Sequence, residues 1–179
     1  GICWKKSDDD KVCNINEINK KVMGYKLHGL GINNNMSQTV GVVTFTNKIR
    51  SIDNIIQNFK QQSYINKKLF LILNNNSINI DDCNKKCTES KIQYEIILID
   101  NKCNLGYGLN KCIDKLLEQN YDIFSKFDDN DIYCPNYLLE QVEYLNAIDC
   151  DVVGKHHVPI FIPDYNNFYT NNNHTKEYE

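Results

Sequence analysis

Val40-Gly41-Val42-Val43-Thr44-Phe45 is a short run of apolar and β-branched residues with no polar alternation. A strand with one face in water alternates; a strand covered on both faces does not. The run passes into the turn-like Thr46-Asn47-Lys48. Ser51, a favourable helix N-cap, then precedes Ile52, Ile55, Ile56 and Phe59 at helical spacing. Gln61-Gln62-Ser63-Tyr64 closes that helix. The same pairing of buried strand and amphipathic helix repeats down the chain. Residues 69–73 form a second strand, stopped by Asn74-Asn75-Asn76-Ser77, and a short helix is predicted over 81–90. A third strand covers 94–99, and a longer helix over 104–119 carries Leu109, Ile113, Leu116 and Leu117 on one face. A fourth strand, 123–127, runs directly into Asp128-Asp129-Asn130-Asp131. After Pro135, well suited to the first turn of a helix, come Leu138, Leu139, Val142 and Leu145. Asp151-Val152-Val153 reads as a short fifth strand.

Strands alternating with helices at these spacings predict an α/β fold, a mostly parallel sheet with flanking helices. In such sheets ligands bind beyond the carboxyl ends of the strands. The predicted ends are Thr44 to Asn47, Asn74 to Ser77, Asp100-Asn101-Lys102 and Asp128 to Asp131, and all four are polar. One ligand groove along one sheet edge accounts for that. The pattern makes residues 39–155 the folded domain. Residues 1–38, polar and mixed, read as a lead-in segment, and 156–179, with Pro159, Pro163 and several tyrosines, as an extended partial segment.

The totals narrow the classes of function. At 179 residues the chain accommodates one domain with a real core. A net charge of −3 provides no basic footprint, which argues against nucleic acid as a partner. No apolar run approaches the roughly 20 residues that span a bilayer, and no secretory signal is evident at the N-terminus. A start at Gly1 and a stop in an Asn-rich stretch read as a piece of a longer protein. Eight cysteines without a C-x-x-C pair or a His at zinc-finger spacing read as reduced thiols of a cytoplasmic protein. Cys83 and Cys87, four apart, are expected as half-exposed helix packing.

Asp128-Asp129-Asn130-Asp131 is the densest chemistry in the chain. Three carboxylates and a carboxamide within four residues repel one another unless solvent or a cation screens them. Mg²⁺ and Mn²⁺ prefer oxygen ligands and bridge one or two carboxylates to substrate phosphates. The carboxyl end of a central strand puts such ligands in the groove; anywhere else the run would read as a solvated turn. Asn104-Leu105-Gly106-Tyr107-Gly108-Leu109-Asn110 opens the longest helix, where glycines permit close approach and free N–H groups favour an anion. Neither a dinucleotide-binding G-x-G-x-x-G after the first strand nor a Walker A sequence is present.

In order and spacing, residues 38–155 resemble family 2 glycosyltransferases of GT-A fold. The resemblance rests on the Thr-rich end of the first strand, on Gln61-Gln62-Ser63-Tyr64 and on Ser77 after the second strand. It rests further on Gly106 and Asn110 within an N-x-G-type element, and on Phe127 through Leu138. It implies that Thr44, Thr46, Asn74 or Asn75, and Lys102 line the base and ribose, with Gly106 and Asn110 in the donor site. It also implies that Asp128 and Asp129 hold the ribose and diphosphate, with Mn²⁺ or Mg²⁺ at Asn130 and Asp131. Two features depart from the family pattern: Asn130 stands where a metal-binding Asp is usual, and Asn74 to Asn76 replace acidic residues.

The function so implied is metal-dependent, inverting transfer of a sugar from a nucleotide-diphosphate sugar, UDP-linked above others, to a glycan or other acceptor. The catalytic base of the acceptor half is not identifiable; Asp164, Glu177 and Glu179 read as surface charges, and adjacent His156 and His157 point to opposite faces. A donor-binding module without turnover is the alternative reading. A response-regulator-like phosphate domain fits less well, because its acidic residues would be split between two strand ends. Cytoplasmic placement is expected, with peripheral membrane attachment left open.

Overall fold

The computed structural model describes residues 2–5, 37–74, 78–100, 103–148, 150–155, 159–162 and 167–170. Six strands form one sheet: β1 (Ile2–Lys5), β2 (Val40–Thr46), β3 (Lys67–Asn74), β4 (Tyr94–Ile99), β5 (Ile123–Lys126) and β6 (Val152–Gly154). Their order is β4-β3-β2-β5-β1-β6. The block β4-β3-β2-β5 is parallel throughout. β1 pairs antiparallel with both β5 and β6, so β6 again points the same way as β5. The mostly parallel sheet is the expected one, but a strand at Ile2–Lys5 was not legible in the mixed, polar sequence around it. β7 (Pro159–Ile162) and β8 (Asn167–Thr170) form a separate antiparallel pair.

Among the described residues, four α-helices connect and cover the main sheet: α1 (Ile52–Lys60), α2 (Ile80–Glu89), α3 (Leu105–Glu118) and α4 (Tyr137–Ala147). Val40, Val42, Leu69, Leu71, Leu73 and Ile123 pack with α1, α2 and α4 on one face. Val43, Phe70, Ile72, Ile97, Ile99 and Phe124 pack with α3 on the other. Handedness explains the division. The β2-α1-β3 and β3-α2-β4 crossovers step outward in one direction, whereas β4-α3-β5 steps back across two strands. Right-handed connections therefore put α3 on the opposite face. This is Rossmann-like winding, and it reverses between β2 and β5. The carboxyl ends of those two strands consequently part at a topological switch point, the place where α/β sheets leave a crevice.

α3 lies close to the sheet. A Cβ on Gly108 would stand 3.2 Å from Ile72 Cγ2 and from Ile99 Cδ1, and Gly41 faces Leu116 so closely that a Cβ would fall 2.2 Å from its Cδ2. Gly108 is thus a packing glycine rather than one that admits an anion. The helix ends in a left-handed residue, Asn120 at φ 57°. Tyr121 N–H donates to Leu116 O at 2.9 Å and Asn120 N–H to Leu117 O at 3.1 Å, the paired bonds of a Schellman cap.

Three local expectations are corrected. Ser51 does not cap α1: it is itself helical (φ −82°, ψ −14°) and ends the 3-10 turn Ile49–Ser51, so its hydroxyl makes no capping bond. Pro135 is not the first residue of α4 but stands in a turn closed by Tyr137 N–H to Cys134 O at 2.9 Å, where its fixed φ serves equally well. Cys83 and Cys87 are fully buried under α2 rather than half exposed, and burial pushes the Cys87 thiol up to about 11. The six cysteines whose side chains are described are all free.

Candidate functional site

The acidic run leaves β5 at the switch point, and a hydrogen bond ties it across the crevice to β2. Thr46 Oγ1, at the last residue of β2, donates to Asp129 Oδ2 at 2.8 Å. The same oxygen accepts the Lys48 N–H at 3.1 Å, which fixes the turn after β2. Lys48 Nζ lies 3.8 Å from Asp129 Oδ2. Lys126, on β5, forms an ion pair with Asp128. Two of the three carboxylates thus each have a lysine beside them. Asn130 and Asp131 are exposed.

The backbone of the loop is held by a row of carboxamides on α1 and the residues that follow it. Asn54 Nδ2 donates to Asp129 O at 3.1 Å and to Asp131 O at 3.0 Å. Asn58, one turn on, donates to Asp131 O at 2.8 Å and accepts Tyr133 N–H at 3.0 Å. Gln61 donates to Tyr133 O, and Gln62 donates to Cys134 O at 3.0 Å while accepting Leu138 N–H at 2.9 Å. Ser63 N–H closes the series on Pro135 O at 2.8 Å. Asn54 and Asn58, four apart, lie on one side of α1, and Gln61 and Gln62 carry the series on just past its end, so together they follow the whole length of the loop. Its apolar residues, Ile52, Ile55, Ile56 and Phe59, meet the core.

Tyr133 anchors the loop from inside. Its ring stacks on Phe127 with centroids 3.9 Å apart and meets Tyr137 edge-on. Its hydroxyl accepts Asp128 N–H at 2.8 Å and reaches Asp131 Oδ2 at 3.5 Å, long for a hydrogen bond. Burial raises the phenol well above its ordinary pKa, so it stays protonated. The loop is therefore one turn held from inside, with Asp131 exposed and Asp129 turned to Thr46.

The structure brings Thr46 and Asp129 together and puts Asp128, Asn130 and Asp131 on the same loop. Thr44 is on the same face of β2, two residues inward. It is 1% exposed, and its Oγ1 has no hydrogen-bond partner among the described residues. Asn74 ends β3, paired in register with Ile99 of β4. Gly106 and Asn110 are exposed on α3, which begins at the carboxyl end of β4 with Asn104 Oδ1 accepting Tyr107 N–H at 2.9 Å. Three strand spacings, about 14 Å, separate β4 from β5, so those residues meet the acidic run only through an extended ligand. Asn75 and Lys102 lie outside the described residues, as do Asp164, Glu177, Glu179, His156 and His157. Sequence reasoning left out Asn54, Asn58, Lys48, Lys126 and Tyr133. Asn54 and Asn58 carry no local signal, since a polar residue on a helix looks the same whether it meets solvent or a distant loop.

The donor set can be weighed for a divalent cation. Among the described residues no three His, Cys, Asp or Glu side chains converge as a metal cluster. With Asp128 and Asp129 facing lysines, the exposed Asn130 and Asp131 leave one or two oxygen ligands for an ion. That is the number Mg²⁺ or Mn²⁺ commonly takes from protein when phosphates supply the rest.

No protein-family model matches the chain, and no curated protein matches it. Among solved structures, a mannosyltransferase from Pyrobaculum calidifontis in complex with GDP-mannose and Mn²⁺ is similar with a TM-score of 0.49 and 12% identity. The match covers 73% of this chain and 41% of that one, so this chain spans less than half of its neighbour's length. No helix among the described residues is long and apolar enough to cross a membrane.

Proposed function

We propose that this chain is the donor-binding half of a GT-A glycosyltransferase, one that transfers a sugar from a nucleotide-diphosphate sugar with the help of Mn²⁺ or Mg²⁺. The observation that carries the reading is the Thr46–Asp129 hydrogen bond across the β2/β5 switch point, which sets an acidic, oxygen-rich loop at the mouth of the crevice. In this reading Asp128 and Asp129 face the ribose and diphosphate, Asn130 and Asp131 hold the cation, and Thr44, Asn74, Asn75 and Lys102 line the base. Gly106 and Asn110 border the donor at the β4 side. The cation, when bound, supplies Lewis acidity toward the departing diphosphate. The protein's own part is to present the loop without reorganisation, since its carbonyls are already held. A uridine donor, a glycan acceptor and inversion of the anomeric centre complete the proposal.

A second reading, donor binding without turnover, is favoured by one residue. Asn130 offers a neutral oxygen where a carboxylate would attract the ion more strongly. Calorimetric titration with UDP and with GDP, each with and without Mn²⁺, tests both readings; binding of neither nucleotide in the presence of Mn²⁺ would refute them together. Asn130→Asp is expected to tighten Mn²⁺-dependent binding, and unchanged or weaker affinity would remove Asn130 from the metal. Transfer or hydrolysis of the sugar nucleotide then separates the two.

A further inference from the structure

Lys48 has no hydrogen bond from its ammonium among the described residues, although it stands at the switch point. Its main chain is fixed by the bond from Lys48 N–H to Thr46 Oγ1, 3.1 Å long. Its Nζ is 3.8 Å from Asp129 Oδ2. Charge-assisted N–H···O bonds are about 2.7–2.9 Å long, so this is a Coulomb contact without a formed hydrogen bond. The oxygen it faces already receives the Thr46 hydroxyl at 2.8 Å, which lets Asp129 keep its orientation if the lysine leaves. The lysines of the other ion pairs are committed more closely. Lys68 and Lys115 sit 2.8 Å and 2.6 Å from Glu95, Lys86 is 2.6 Å from Asp53, and Lys126 is paired with Asp128. Lys48 differs from them in being held at its charge by proximity alone, with its Nζ outside hydrogen-bond reach of the carboxylate beside it.

We infer that Lys48 is a phosphate-binding residue: its ammonium moves off Asp129 and donates to an oxygen of the diphosphate of a bound nucleotide. Lysine serves phosphates well as a compact point charge on a flexible stem. The turn after β2 delivers that charge to the same crevice that the acidic loop borders from β5. Two carboxylates beside lysines and two exposed oxygen ligands then become a divided site, with cation ligands on one side and a phosphate donor on the other. The inference rests on the donor-binding reading above, and the test separates the two.

The experiment uses the full chain in a buffer with Mn²⁺. UDP, GDP, uridine and guanosine are titrated into wild type, Lys48→Ala and Lys48→Arg, with circular dichroism and thermal unfolding checking that each variant is folded. Loss of one charge-assisted bond predicts roughly 10- to 100-fold weaker diphosphate binding in Lys48→Ala. Nucleoside binding should stay unchanged, and Lys48→Arg should restore most of the affinity. Equal diphosphate binding by wild type and Lys48→Ala overturns the role of Lys48 and leaves the donor-binding reading standing. Parallel losses for nucleosides and diphosphates overturn it too, because they indicate a structural role. Failure of wild type to bind either diphosphate overturns the donor-binding reading itself, and this inference with it.

Discussion

Replacing Asn58 by Ala should uncouple the acidic loop from α1. Asn58 is 3% exposed, and its side chain makes two good hydrogen bonds to the loop, 2.8 Å to Asp131 O and 3.0 Å from Tyr133 N–H. The consequences of losing them are unequal. Asp131 O retains Asn54 Nδ2 at 3.0 Å, so that loss is about 0.5–1.5 kcal/mol. Tyr133 N–H has no such replacement and is left buried without an acceptor, which costs about 1–3 kcal/mol. The better helix propensity of Ala returns about 0.5 kcal/mol. A net destabilisation of about 1–4 kcal/mol follows from these contributions. Urea unfolding reads it as a lower midpoint with an unchanged slope. Asn58→Asp makes the test sharper, because the acceptor for Tyr133 N–H survives while the donor to Asp131 O is lost. A change below about 0.5 kcal/mol in Asn58→Ala, the level of ordinary surface substitutions, would refute the claim that α1 holds the loop. Should stability fall while the folded variant binds nucleotide diphosphate as wild type does, the loop's path would be irrelevant to the ligand.

Glu95 offers a pH-dependent prediction. Burial opposes its ionisation, but hydrogen bonds from Lys115, Lys68 and Gln119 outweigh burial and bring its pKa from 4.5 down to about 2. That difference is about 3.4 kcal/mol at 1.36 kcal/mol per pH unit, and screening at the partly exposed lysines reduces the expected share to about 1–2 kcal/mol. With the folded pKa depressed, the stabilisation is present above about pH 4.5 and is lost as pH falls toward 2. Glu95→Gln should therefore be less stable than wild type at pH 7, with the gap closing by pH 2–3; a gap independent of pH would contradict the assignment. Thr44→Val removes a buried hydroxyl that has no partner among the described residues, and should raise stability by about 1 kcal/mol in thermal unfolding. A simultaneous drop in nucleotide affinity would place that hydroxyl on the ligand, and a loss of stability would mean the hydroxyl has a partner. Lys91 ends α2 in a left-handed conformation at φ 55°, so Lys91→Gly should stabilise by about 1 kcal/mol in the same assay.

The parallel part of the sheet was legible because its strands are apolar runs without alternation, with β2 and β3 buried on both faces. Val40 to Phe45, Leu69 to Leu73 and Tyr94 to Ile99 all stand where the pattern put them. β1 was not legible, since four residues paired between β5 and β6 take their order from distant partners rather than from their own composition. The role of Gly108 was misread for a similar reason: a glycine at a helix start looks alike whether a phosphate or Ile72 approaches it. The acidic loop itself was conspicuous, but its supports were not. Asn54, Asn58, Gln61 and Gln62 are individually unremarkable polar residues. Their meaning lies in facing a loop some 75 residues downstream, as the 75-residue separation of Asn58 and Tyr133 illustrates.

The choice of carboxamides for that support has a consequence for how the site behaves in different media. Asn and Gln side chains do not titrate, and bonds between neutral groups are little affected by ionic strength. A frame made of lysines or carboxylates would slacken with acid or salt, and would respond whenever a cation or a phosphate came or went nearby. Here the path of the loop and the charge it displays are set by different groups. Acid, salt and ligand can alter the display while the path stays as it is.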